Sequence, residues 1–117
     1  MITWNTEMIN RLKTGSIKNV LLFGDSMKQL NIPYVVVKPI FSSDRKLWQV
    51  FAHYSIGNED KLEEYVLYEL DRLLDDPLAI DGQMVYVKAA GTLSGPYVDE
   101  GNNTLAMSRD YFIPLTV

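Results

Sequence analysis

Residues 47–88 read as strand, helix, strand, an order that limits the chain to a small sheet carrying at least one packed helix. Leu47–Tyr54 alternates, with Trp48, Val50, Ala52 and Tyr54 on one face, the period of a half-buried strand. Glu59–Asp76 changes to helical spacing, and Leu62, Tyr65, Val66, Leu70, Leu73 and Leu74 share one stripe. Met84–Lys88 returns to a strand pattern. The apolar surface of this stretch is committed to packing, and none of it has the look of a catalytic site.

The flanks extend the scaffold. Residues 3–14 can form a first helix, with Thr3 as N-cap, Trp4, Met8, Ile9 and Leu12 at helical spacing, and Gly15 where a left-handed C-terminal cap is usual. Val20–Phe23 is short and apolar, either a strand or the start of a turn into Gly24-Asp25-Ser26. Tyr34–Pro39 is a β-branched run between Pro33 and Pro39, since strand ends tolerate proline and strand interiors avoid it. The polar Ser42–Lys46 stretch then makes the charged tip of a hairpin. Gly57-Asn58 breaks the next strand. Asn58 can cap the second helix, and Glu59 and Asp60 suit its first turn. Pro77 ends that helix, and Asp81-Gly82 is a turn leading into Gln83–Ala89.

Ala90–Leu105 is rich in glycine and asparagine and reads as a long loop or an extended, flexible hairpin. Arg109–Val117 closes the chain as a strand, with Tyr111, Ile113, Leu115 and Val117 on one face. Pro114 marks it as an edge strand. The expected fold is α+β: a mostly antiparallel sheet of about four strands with two helices packed on one face.

Composition sets the outer limits. A chain of 117 residues, 47% hydrophobic and 22% charged, suits one folded domain over residues 1–117. Its net charge of −4 argues against a nucleic-acid binder, whose footprint is a basic face. There is no cysteine, hence no disulfide framework or thiolate chemistry. Met1-Ile2-Thr3-Trp4-Asn5 is not a secretory signal, and apolar runs such as Tyr34–Val37 are too short to span a bilayer. A soluble, non-secreted protein is expected.

A search for chemistry finds little. His53 is the single histidine, on the strand face opposite Trp48 and Val50, where a surface or interface position is expected. With no second histidine and no carboxylate pair at ligand spacing, no metal or cofactor is indicated. The acidic residues of 59–76 fall mostly on the polar helix face. Asp99, Glu100, Asn102 and Asn103 do not follow a calcium-loop order. Gly91–Pro96 lacks the lysine of a phosphate-binding loop. The chain is rich in aromatics, with seven tyrosines and two tryptophans. Trp4, Tyr65 and Tyr68 are assigned to helix–sheet packing. Tyr97 either folds back on its own domain or serves an interface, where tyrosine is enriched.

Taken together, the order of elements resembles the small tail-terminator and tail-to-head joining proteins of long-tailed bacteriophages. The likeness rests on the short helix ending at Gly15, Tyr34–Val37, and Trp48–Tyr54 leading through Gly57-Asn58 into an acidic helix. Gln83–Ala89 and the closing Ser108–Pro114 stretch complete it. The resemblance implies a non-enzymatic virion protein that forms a ring, hexameric in that family, capping the tail tube. It implies contacts with itself, the tail-tube protein and a head-completion protein, assembly in the host cytoplasm, and no membrane or specific nucleic-acid partner. Asp44, Arg45, Lys46 and Tyr97 are the candidate assembly contacts. The alternatives are another phage assembly protein, for head completion or the tail tube, or a small ligand-binding domain using 90–105 as a lid. For that last reading His53, Tyr97 and Asp99 are candidates that the sequence does not link.

Overall fold

β-branched residues and the alternating run after them form the middle of the molecule. The computed structural model describes residues 2–25, 31–40 and 45–114. Strand β2 (Tyr34–Ile40) pairs antiparallel with β3 (Arg45–Tyr54), placing Val37 opposite Val50 and Pro39 opposite Trp48. β7 (Thr104–Pro114) runs antiparallel along the other edge of β3 over its whole length. β6 (Lys88–Asp99) pairs outside β7, and β1 (Val20–Leu22) lies parallel outside β2, giving the order β1-β2-β3-β7-β6. β4 (Leu78–Ile80) and β5 (Gln83–Val85) make a separate hairpin.

The fold is therefore α+β, but with a mixed five-stranded sheet plus a two-stranded one, rather than four strands. β1 resolves the Val20–Phe23 ambiguity in favour of a strand, and its pairing is parallel. Asp81 and Gly82 have φ of 52° and 78°, the two positive values of a type I′ turn. Their turn thus has a strand before it as well as after. The strand expected over 83–89 stops at Val85 and resumes as β6 at Lys88.

The closing strand is not an edge. β7 starts at Thr104 and lies between β3 and β6, with Pro114 at its last position, where a missing N–H costs least. Leu115 and Val117 lie outside the described residues. Ala90–Leu105 takes the extended-hairpin form: β6 and β7 turn back on each other at Glu100–Asn103. Two register shifts bend β6, and the second falls around Gly95. A Cβ at Gly95 would stand 2.8 Å from the Ala106 carbonyl oxygen, so glycine lets the two backbones approach.

Both helices cover one sheet face. α1 (Ile2–Leu12) buries Met8 and Leu12. Its start precedes Thr3, which is inside the helix and not its cap. The second helix comprises α2 (Glu59–Glu64), a π-helical turn (Tyr65–Glu69) and α3 (Leu70–Leu73). It buries Leu62, Tyr65, Val66 and Leu70, with Leu74 following it, against Val35, Val37, Trp48, Val50, Leu105 and Met107. The expected stripe is present, yet Tyr68 is 63% exposed, because the packing side of the helix is filled by Tyr65 and Val66. Asn58 precedes α2 but does not cap it; its amide donates to Ser55 instead.

Gly15 is not in the left-handed region. Its role is close approach: a Cβ there would lie 2.7 Å from both Glu69 Oε2 and Leu73 Cδ1. Next to it, Ser16 donates its backbone N–H to Glu69 Oε2 at 2.7 Å and its hydroxyl to the same carboxylate. Arg11 donates to the carbonyls of Leu73, Asp76 and Pro77 at 3.1, 2.7 and 3.0 Å, satisfying acceptors at and beyond the helix end. Trp48, fully buried, donates its indole N–H to Asn5 Oδ1 at 3.0 Å. Each contact ties one helix to another element.

Leu70→Ala should destabilise the domain by about 2–5 kcal/mol, as expected for a large side chain deleted from a full core. Glu64→Ala, at an exposed position, should change stability by less than about 0.5 kcal/mol. Urea unfolding of both variants measures the difference, and equal midpoints would show the packed face to be misassigned.

Candidate functional site

The sheet face without helices carries a concentration of polar and aromatic groups outside the core. Alternation puts Tyr34, Val36 and Lys38 of β2 there, with Phe51 and His53 of β3. Register then lines them up across the sheet. Tyr34 pairs with His53, His53 with Ala106, and Ala106 with Tyr97. One row across four strands thus brings His53 and Tyr97 together, separated by a small residue.

The face is hollowed into a space of about 210 Å³. Phe23, Val36, Phe51 and Tyr97 line it, with Lys38 along one side and His53, Asp99 and Asn102 along the other. The Lys38 ammonium stands over the Phe23 ring at 4.9 Å. His53 is 6% exposed, buried within its own domain where a surface or interface position was expected. Its ring stacks on Tyr34 at 4.5 Å between centroids and 11° between planes. Its Nδ1 hydrogen-bonds Thr104 Oγ1 at 2.9 Å and lies 4.0 Å from Asp99 Oδ2.

Electrostatics follow from burial. Desolvation holds His53 below its ordinary value of 6.5, with Asp99 pulling the other way, so the ring is neutral at pH 7. Asp99 accepts from Asn102 through the side-chain amide at 2.8 Å and the backbone N–H at 3.3 Å. The amide bond is the main reason its carboxyl is held below the usual range. Burial, and then Asp99, raise Tyr97.

A histidine beside a hydroxyl and a carboxylate invites comparison with a catalytic triad. The geometry is wrong for one. Thr104 and Asp99 both face Nδ1, whereas a triad places nucleophile and orienting acid on opposite ring nitrogens. Thr104 is also buried, out of reach of a substrate. Among the described residues no group of three or more His, Cys, Asp or Glu could hold a metal ion.

The helix side offers a second, open groove of about 680 Å³ along Asp60, Glu63, Glu64, Leu67, Tyr68 and Asp71. Asp71 there serves the fold: it accepts from the Tyr111 hydroxyl at 2.6 Å and pairs with Arg109 at 3.5 Å. Burial, then Asp71, push the Tyr111 phenol far up.

The residues proposed for assembly are scattered. Asp44 lies outside the described residues. Arg45 and Lys46 belong to β3 and not to a turn. The Lys46 ammonium stands 5.6 Å from the Trp48 ring, and burial lowers it. Tyr97 is 40% exposed on the wall of the hollow, so it meets its own domain and solvent at once. Thr104 and Tyr34 were missed. Only cross-strand register reveals them, and a single sequence does not print it.

No protein-family model and no curated protein matches this chain. Among solved structures, one is similar over 99% of this chain and 94% of its own, with a TM-score of 0.56 and 16% identity. That likeness establishes a shared fold and nothing further. Among the described residues no helix is long and apolar enough to cross a membrane.

The depressed His53 sets a pH dependence. Protons bind the unfolded chain more readily than the folded one, so stability is full above about 6.5 and is lost as pH falls from there through the lowered folded value. Urea midpoints measured from pH 7.5 to 5.5 should fall for the wild type. The slope should flatten in His53→Gln, which cannot titrate.

Proposed function

We propose that this chain is a structural subunit of a bacteriophage virion that closes into a ring at the end of the tail tube, on the head side. The observation carrying this reading is β6. It is a twelve-residue edge strand with its outer side unpaired among the described residues, bearing the exposed apolar side chains Leu93, Tyr97 and Val98. An exposed, apolar edge is a liability in a monomer and a template for pairing in an assembly. The adjoining sheet face has no helical cover, and Phe23 adds a further exposed aromatic to it.

Ring closure supplies the mechanism. A heterologous contact repeated by rotation satisfies every lateral face and stops growth. The two axial faces then remain for the tail-tube protein and the head-completion protein. A six-membered ring follows from the family resemblance. No bond is made or broken in this mechanism. A ligand-binding domain is supported less well: the hollow that joins His53, Tyr97 and Asp99 is smaller than the roughly 300–1,000 Å³ of usual ligand pockets.

The reading is tested by solution mass, with attachment to tail tubes followed by electron microscopy. The wild type should form a closed multiple of its 13.4 kDa protomer, alone or on tube ends. Leu93→Ser with Val98→Ser should keep the melting temperature within a few degrees, since both are exposed, and should abolish the ring. A wild type that stays monomeric alone and on tubes would overturn the reading. Lys46 is a poor position for testing an assembly contact by substitution, because its ammonium packs on Trp48.

A further inference from the structure

We propose that the hollow on the helix-free face is a socket for the Tyr86–Lys88 segment of a second copy of this chain, with the Tyr86 ring between its aromatic walls and the Lys88 ammonium on Asp99. The inference rests on the ring reading above and names the contact that would close the ring.

The socket has the size and chemistry for such an occupant. Its volume of about 210 Å³ suits one large side chain and part of a second. Phe51 and Tyr97 offer ring faces and edges, and aromatic pairs add attraction beyond the area they bury. Asp99 supplies a charge with no cation on it among the described residues. Its hydrogen bonds come from Asn102 and the Gly101 backbone, and the neighbouring His53 is neutral. Lys38 does not reach it from the opposite wall, where its ammonium is held over Phe23.

The occupant is chosen by charge and exposure. Tyr86 is 61% exposed in the break between β5 and β6. Lys88 opens β6, is exposed, and makes no ion pair among the described residues. Several other basic side chains are engaged: Arg11 on carbonyls, Lys46 on Trp48 and Arg109 on Asp71. Tyr68 and Arg72 form another exposed aromatic–basic pair. Their groove holds four carboxylates, Asp60, Glu63, Glu64 and Asp71, which would face Asp99 unfavourably, against two, Asp71 and Asp75, beside Tyr86 and Lys88. Lys88 and Asp99 sit at opposite ends of one strand; they pair with Phe112 and Thr104 of β7, which at ordinary strand rise puts them roughly 27 Å apart. One molecule cannot join them, but a row of rotated copies can, and a contact between two different patches is the kind that closes rings.

Charge exchange tests the pairing. Lys88→Asp and Asp99→Lys should each raise the concentration for half-assembly by about tenfold or more. Mixing the two variants should restore assembly. The Lys88 kept by one variant then meets the Asp99 kept by the other, and at the alternate contacts the two introduced charges, opposite in sign, meet each other. Thermal melting checks that each is folded. Should Asp99→Lys fail to fold, Tyr86→Ser replaces it and should likewise weaken assembly about tenfold or more. Two folded variants whose mixture stays unassembled, or a Tyr86→Ser protein that assembles as the wild type does, would overturn the socket while leaving the ring standing. A wild type with no assembled form would instead overturn the ring and the socket with it.

Discussion

Strand β3 is the constraint on which the rest depends. It is paired along both edges, to β2 and to β7; Trp48, Val50 and Ala52 are buried under the helices, and on the half-buried opposite face His53 is buried too. A slip of one residue would exchange these faces. Trp48 would leave its bond to Asn5, and His53 would enter an apolar core without Thr104. Core packing and the polar row are therefore set by the same register.

That coupling explains which parts of the fold could be read from the chain. Leu47–Tyr54 and the stripe from Leu62 to Leu74 were legible because one periodic face met one core. Helix ends were less so. Gly15 has the residue type of a left-handed cap, but here it makes room for Glu69 and Leu73 of a helix more than fifty residues away. Tyr68, expected in the helix–sheet packing as an aromatic of that helix, is exposed. The π-helical turn at Tyr65–Glu69 adds a residue to the local repeat, and no residue type announces it. β4 was hidden by its shortness, and β7 was misjudged as an edge because Pro114 said nothing of Thr104–Ser108.

The candidate site was legible as residues and not as a site. His53, Tyr97 and Asp99 stood out by type; the row through Ala106 that joins His53 to Tyr97, and the Asp99–Thr104 pairing beside it, depend on strand register. The same row decides their chemistry. Both polar partners of His53 meet a single ring nitrogen, leaving a neutral, stacked histidine that pins the β6–β7 tip to β2 and β3. The acidic helix divides similarly: Glu69 and Asp71 hold the fold together, while Asp60, Glu63 and Glu64 face an open groove. What the molecule presents outward is a bent apolar edge and an aromatic hollow with one carboxylate that no cation meets among the described residues. In the proposed ring both would be covered by a neighbouring copy.

Amide hydrogen exchange, followed by fragment mass before and after assembly on tail-tube ends, tests this account most directly. Assembly should slow the amides of β6 and of the Tyr97–Asn102 tip, where free N–H groups and exposed aromatics would be covered. Exchange along the second helix should be unchanged. Slowing confined to that helix, with β6 exchanging as freely as in the isolated protein, would contradict the assignment of the helix-free face and its edge to assembly.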